Sequence, residues 1–234
     1  MKKTVAIIQS NYIPWKGYFD IINSVEEFIL YDEVQYTKND WRNRNRIIGS
    51  NGSFWLTIPV HFSNHLHRSI ASIAVTDSKW NLKHRKSIQL CYARALHYKS
   101  IYPMLENIYD ACAEMNFLSE INQYFIEEIS RILGIQTKIS LSTDYGIDAS
   151  LNKTEKLVAL CLSSGATQYL SGPSAGCYLE ESLFAEAGIK VDFMNYDGYP
   201  EYRQLSSPFE HQVSIIDLLL NEGFNARNYM KSFL

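Results

Sequence analysis

From Thr137 to Gly223 the chain alternates between two kinds of segment. "TKISLS", "TQYLSG" and "KVDFMNY" are short and β-rich; "KTEKLVALCLSSG", "YLEESLFAEAG" and "EHQVSIIDLLLNEG", which follow them in turn, carry helical spacing. This order constrains the fold more than any other feature. Strands joined through helices pair in parallel, with right-handed crossovers that lay the helices on the faces of the sheet. The beginning of the chain repeats the arrangement. "TVAIIQ", Thr4 to Gln9, is a continuous apolar run, as expected of a strand buried on both faces. "KGYFDIINSV" sets Phe19, Ile22 and Val25 on one side of a helix, and "EFILYDEV" predicts a second buried strand ending near Asp32. The apolar run after "MKK" breaks at Gln9, which fits a first strand better than a signal peptide.

The middle of the chain departs from this rhythm. "NRIIG" and "SFWLTIPV" flank "SNG", a hairpin signal, and "SIASIAV" reads as a further strand. From Ser78 the period becomes helical. "SKWNLKHRKSIQLCYARALHY" predicts one long helix with Trp80, His84, Ile88 and Cys91 on one side and Asp77 as its cap. "PMLENIYDACAEM" and "LSEINQYFIEEISRIL" predict two more, the last stopped by Gly134. The expected fold class is therefore α/β: an open, mostly parallel sheet flanked by helices, with an inserted β-hairpin and a central helical segment. Residues 1–234 are expected to form a single domain, with 78–134 a helical insertion or subdomain.

Composition narrows the function. With 234 residues and 46% hydrophobic side chains a full core can be built, and a formal charge of −3 argues against general binding to nucleic acid or membrane surfaces. No run of about 18 apolar residues is present to span a bilayer. The four cysteines, Cys91, Cys112, Cys161 and Cys177, lie far apart with no metal-ligand spacing, as expected of reduced thiols in a cytoplasmic protein. His61, His65 and His67 in "HFSNHLH" lack an accompanying carboxylate pattern and read as a loop, so no metal is expected.

Open parallel sheets bind ligands beyond the carboxyl ends of their strands. Three segments fall there: "QSNYIPWKGYFD", "DEVQYTKNDWRNRNR" and "SGPSAGCYL". The second gathers Arg42, Arg44 and Arg46 around Trp41, Asn43 and Asn45. Guanidinium forks suit phosphates, amides suit hydroxyls, and Trp15, Trp41 and the tyrosines offer faces for a ring. The same residues also suit a solvated loop whose arginines pair with nearby acids, and residue types do not separate the two. "SGPSAG" offers backbone N–H groups for an anion or simply a turn of small residues; it is neither a P-loop nor a nucleophile elbow. His84, between Lys83 and Arg85, is a candidate general base or a histidine bonded into structure.

Taken together, "IIQSNYIPWKGYFDII", "DEVQYTKNDWRNRNRI", "W…KH…SI…Y", "YLSGPSAGCYL" and "SIIDLLLNEG" resemble the WbqC-like family over nearly the whole chain. The resemblance marks Gln9, Tyr12, Pro14, Trp15 and Gly17; Asp32, Gln35, Tyr36, Trp41, Asn43 and Arg44; Trp80 and His84; and Ser171, Gly172, Gly176 and Tyr178. The family usually opens Q-P, where this chain has Ser10, and often carries a lysine after the last glycine, where this chain has Cys177. The resemblance implies a cytoplasmic enzyme of bacterial surface-polysaccharide or O-antigen synthesis acting on a nucleotide-linked amino sugar. The expected reaction is N-acylation of the sugar amine. His84 is the expected base, Gln9, Tyr12, Trp15, Asp32, Gln35, Tyr36, Trp41, Asn43, Arg44, Ser171, Gly172 and Tyr178 are expected to bind substrate, and acyl-CoA, such as acetyl-CoA, is the natural donor. A homo-oligomer is compatible with this role; nucleic acid and membrane insertion are not expected. "PWKGYFDII" and the late turn also resemble, more faintly, the nucleotidyltransferase-like (HUP-like) α/β class. In that class histidines stand where this chain has Trp15 and Tyr18. That leaves two alternatives, ATP-dependent nucleotidyl transfer or amino-acid ligation, and a non-catalytic sugar-nucleotide-binding protein.

Overall fold

Five short strands run parallel in the order β5-β2-β1-β6-β7: β1 (Thr4–Ile8), β2 (Glu27–Leu30), β5 (Lys138–Leu141), β6 (Gln168–Ser171) and β7 (Lys190–Phe193). The structure, a computed structural model, describes residues 2–61, 68–177 and 179–234. The inner strands β1 and β2 are buried because they present apolar residues to both sides, and alternate positions feed two cores. Ala6, Phe28 and Leu30 face the larger one; Val5, Ile7 and Ile29 face the smaller. The smaller core is closed by α5 (Lys153–Ser163) and α6 (Glu181–Glu186) through Leu160, Cys161 and Phe184. The larger is closed by α1 (Lys16–Asn23), α2 (Trp80–Tyr92), α3 (Tyr98–Ala111), α4 (Leu118–Leu133) and α7 (Ile215–Glu222). The fold is thus α/β, with helices on both faces of a parallel sheet. The apolar residues of the central helices, Phe125 and Ile129 among them, lie in the same core as those of α1 and β2.

The predicted hairpin forms a separate two-stranded antiparallel sheet, β3 (Arg44–Gly49) and β4 (Gly52–Thr57). Gly52, at φ +101°, closes its turn where a side chain would be strained. Gly134 ends α4 in the left-handed region, as read from the sequence. Trp80, His84 and Ile88 do share the buried side of α2, and the Asp77 carboxylate accepts the N–H of Lys79 just before it.

Three elements differ from expectation. "SIASIAV" is not a strand. Ile70–Ser72 is a single 3-10 turn, because Ile70 and Ala71 donate their N–H groups to Val34 and Asp32 of the loop after β2. The long helix from Ser78 stops at Tyr92: the His97 N–H goes to the Leu220 carbonyl of α7, and a new helix, α3, starts at Tyr98 with Pro103 inside it. The last helix begins at Ile215 rather than near Glu210. Ser214 caps it, accepting from Ile216 N–H while its hydroxyl donates to the Ile13 carbonyl at 2.7 Å. Residues 210–214 are thereby released from helix.

Candidate functional site

A cavity of about 600 Å³ opens beyond the carboxyl ends of the strands, a size suited to a small organic ligand. Its wall comes from four places: the turn after β1 (Asn11, Pro14, Trp15), the arginine-rich loop and β3 (Trp41, Asn45), the turn after β7 (Tyr196 to Tyr199), and the segment before α7 (His211, Gln212).

The turn after β1 is built under strain. Ile13 sits at φ +37°, a region that β-branched residues avoid, at a cost of about 1–3 kcal/mol. Its surroundings hold it there. Asn45 Nδ2 donates to the carbonyls of Tyr12 and Ile13 at 3.1 Å each, Ser214 binds the Ile13 carbonyl, and the Ile215 N–H binds Pro14. The Tyr12 N–H donates to the Trp41 carbonyl at 3.0 Å, which locks the two loops together. The result is that Trp15 stands in the cavity wall, its ring in edge contact with Tyr196 at 5.1 Å and Tyr199 at 5.7 Å. Gly17 allows this pose, since a β-carbon there would lie 2.3 Å from the indole.

Tyr199 is fixed from behind. Its hydroxyl donates to Asp20, a buried carboxylate that also accepts the N–H groups of Lys231 and Ser232. Burial and that bond push the Tyr199 phenol far up. Lys16 lies buried 4.9 Å from the Tyr199 ring and donates to the Pro200 carbonyl; burial brings its amine down to about 8. The His211 ring is exposed and packs edge-on against Phe209. Partial burial, then the charge of Lys16, lowers its pKa, so it is neutral at pH 7.

The arginines stand one layer behind this wall. Arg42 donates to Asn11 Oδ1 at 2.9 Å and Gln9 Oε1 at 3.2 Å and lies 3.5 Å from Asp40. This holds the Asn11 amide so that its Nδ2 is the edge left for a ligand. Arg46 donates to the Gln212 carbonyl at 2.9 Å and lies 3.4 Å from Glu210. Arg44 stacks on Trp55 at 4.1 Å and bonds the Asn39 carbonyl, and Trp55 in turn packs against Trp41 at 5.2 Å. None of the three guanidiniums lines the cavity. Their partners are protein groups, as in the paired-loop reading of this segment.

Of the residues singled out in the sequence, Trp15 and Trp41 meet in the wall, with Pro14. Gln9 and Arg44 support it from behind. Tyr12 is buried, and its hydroxyl lies 2.7 Å from both Tyr109 Oη and His84 Nδ1. His84 Nε2 lies 3.1 Å from the Thr57 carbonyl, which can only accept. The proton therefore sits on Nε2, Nδ1 accepts from Tyr12, and Tyr12 accepts from Tyr109. With its pKa lowered to about 4, chiefly by burial, His84 is neutral, and both of its nitrogens are engaged inside the core, away from the cavity lining. Asp32 accepts from the Ser10 N–H at 2.8 Å and from the Ser119 hydroxyl. Asn43 donates to the Ile58 carbonyl. Tyr36 is buried, its N–H on the Arg68 carbonyl, and Gln35 is an exposed residue bridged to Ser69. The Ser171 hydroxyl is buried on Tyr169 Oη, and neither it nor Gly172 lines the cavity. Tyr178, His65 and His67 lie outside the described residues. Among the described residues no group of three or more His, Cys, Asp or Glu is placed to hold a metal, and no helix is long and apolar enough to cross a membrane.

Sequence reasoning missed Tyr196, Asp197, Tyr199, His211 and Gln212. The first three follow a strand end in "NYDGY", where the strand-end rule applied equally. Helical spacing in "EHQVSIIDLLLNEG" places His211 and Gln212 in a helix, although Ser214 before "IIDLLL" is a capping signal. Asn122 was missed as well: its Nδ2 donates to Ser10 Oγ at 3.1 Å and to the Arg42 carbonyl at 2.8 Å, tying α4 to both loops.

The chain is 44% identical over 229 residues to the uncharacterized protein Rv1507c of Mycobacterium tuberculosis, a match that spans 98% of each chain. No solved structure matches it. The model of the WbqC-like protein family matches residues 9–229, a range that holds the whole cavity wall, and the chain belongs to that family.

Proposed function

We propose that the protein is an enzyme of surface-polysaccharide synthesis that holds the amino sugar of a nucleotide-linked substrate in this cavity and acylates its amine. The observation that carries the reading is the make-up of the wall. Four aromatic side chains, Trp15, Trp41, Tyr196 and Tyr199, stand with the neutral amides Asn11 and Gln212 and a single carboxylate, Asp197, while the Asn45 amide is committed to backbone groups of the turn. Aromatic faces pack against the C–H faces of a pyranose, and amides and a carboxylate bind its hydroxyls and amine. A site for bare phosphate would present its guanidiniums, and here they are turned to protein acceptors.

In the proposed reaction the sugar amine attacks the carbonyl carbon of an acyl thioester, with acyl-CoA as donor. The carbon–sulfur bond breaks, the thiol leaves, and the amine proton passes to a base. His211 is assigned that role in place of His84, because it is the imidazole in the wall and is neutral at pH 7. Incubation with a panel of nucleotide-linked amino sugars and acyl-CoA donors, read by mass spectrometry, tests the reading. The expected result is a mass gain equal to one acyl group, reduced about 100-fold or more in His211→Asn with sugar binding retained. Tight binding without turnover for any donor would make the protein a sugar-nucleotide carrier instead, and ATP hydrolysis on adding an amino acid would make it a ligase.

A further inference from the structure

The net charge of −3 conceals an uneven distribution. Between Ser78 and Leu105 the chain has six cations, Lys79, Lys83, Arg85, Lys86, Arg94 and Lys99, and no carboxylate. Arg85 is neutralised by Glu106 and Asp110 of α3, and Lys83 by Asp77. Lys79, Lys86, Arg94 and Lys99 are exposed and have no ion-pair partner among the described residues. Alongside them stand three of the most exposed apolar side chains in the molecule: Leu82 (54%), Leu90 (74%) and Leu96 (82%).

Helical geometry places these groups together. At 3.6 residues per turn, positions 79, 82, 83, 86, 89, 90 and 93 occupy one arc of roughly 120°. The opposite arc of α2 holds Trp80, His84, Ile88 and Tyr92, all buried. From these observations we infer that the outer face of α2, continued by the turn at Arg94 and Leu96, is a docking surface for an anionic lipid membrane. Its pattern selects that partner. Leu82 and Leu90 are separated by Lys86, so the face has no continuous apolar seam of the kind a partner helix needs. A headgroup layer accepts such a mixture: each leucine dips among the acyl chains while the neighbouring lysine or arginine reaches a lipid phosphate along its own methylene stem. The face carries no aromatic side chain on which nucleic-acid bases would stack.

Co-sedimentation of the full chain with large vesicles tests this. The protein is expected to bind vesicles of mixed phosphatidylcholine and phosphatidylglycerol, to ignore phosphatidylcholine alone, and to be released as salt shortens the screening length below about 10 Å. Lys86→Gln with Arg94→Gln is expected to weaken binding about 30-fold, about fivefold for each cation. Leu82→Ser with Leu90→Ser is expected to weaken it roughly tenfold. Both pairs are exposed, so thermal unfolding should be unchanged and loss of fold is excluded as the cause. Wild-type protein that stays in the supernatant with anionic vesicles at low salt overturns the inference. So does undiminished binding by the leucine variant together with equal binding to polyglutamate, which would assign the face to an acidic protein.

Discussion

Gly17 is the residue on which the pose of Trp15 depends. A β-carbon at this position would come within 2.3–2.7 Å of three indole atoms. Alanine is the better helix former by about 1 kcal/mol, so Gly17→Ala favours α1 while driving the indole from its place. Because the obstructing atoms belong to a side chain at the cavity wall, the ring can swing away without opening the core. The expected outcome is thermal stability altered by no more than about 1 kcal/mol, with affinity for the nucleotide-linked amino sugar of the proposed reaction reduced tenfold or more. Near-ultraviolet circular dichroism gives a readout that needs no ligand, since the contacts of Trp15 with Tyr196 and Tyr199 couple the rings. An unaltered aromatic spectrum in Gly17→Ala would show that the indole has another place to rest within the same wall.

At the level of elements, the turn after β1 is held in an unfavourable backbone state by neighbours that come from distant parts of the chain. Asn45 contributes from β3 and Ser214 from the start of α7. Asn45→Ala removes the donations to the Tyr12 and Ile13 carbonyls and the acceptor of the Arg46 N–H, all in a buried place; a loss of about 1–3 kcal/mol in urea unfolding is expected, with slackened ligand binding. A variant as stable as wild type would mean that Ser214 and Ile215 suffice to hold Ile13. This turn also shows where sequence reading succeeds and stops. The parallel strands, the hairpin and α4 were legible because burial on two faces, a Ser-Asn-Gly turn and a glycine stop are local signals. The segment 70–75 was not, because its β-rich composition was overridden by backbone bonds to the loop after β2. The break between α2 and α3 has no local mark; it is set by a carbonyl of α7, far along the chain. For the site, strand ends pointed to Trp15 and Trp41, and both line the cavity. The arginines were legible as a cluster but not as a supporting layer, since residue type does not tell whether a guanidinium faces a ligand or an asparagine.

On the scale of the whole molecule, His84 and Glu27 both make the fold lose stability in acid, and they act in separate ranges. His84 has an ordinary pKa of 6.5 and a folded value of about 4, burial being the main cause. As pH falls below 6.5 the unfolded chain takes up a proton that the folded chain refuses until about 4. The unfolded state therefore binds more protons across that interval, and stability falls with pH, by about 3 kcal/mol in all. Glu27 behaves as the opposite type of group. Its burial favours the neutral acid, but bonds from Lys138, Lys3, Tyr145 and Ser140 outweigh this and lower it from 4.5 to about 2. Its contribution is complete above 4.5 and is lost as pH drops through 2, so it begins to act where His84 has nearly finished. Urea unfolding at a series of pH values between 4 and 7 should show the His84 slope, and His84→Gln should be less stable at neutral pH and lack that decline, since buried Asp217, whose pKa is raised, favours the fold as pH falls. His211, whose pKa is also lowered, remains in the variant and faces solvent, so it leaves only a small residual slope. An equally steep decline in His84→Gln would place the acid sensitivity elsewhere and show that the chain from Tyr109 through Tyr12 to His84 admits a proton without loss of the fold.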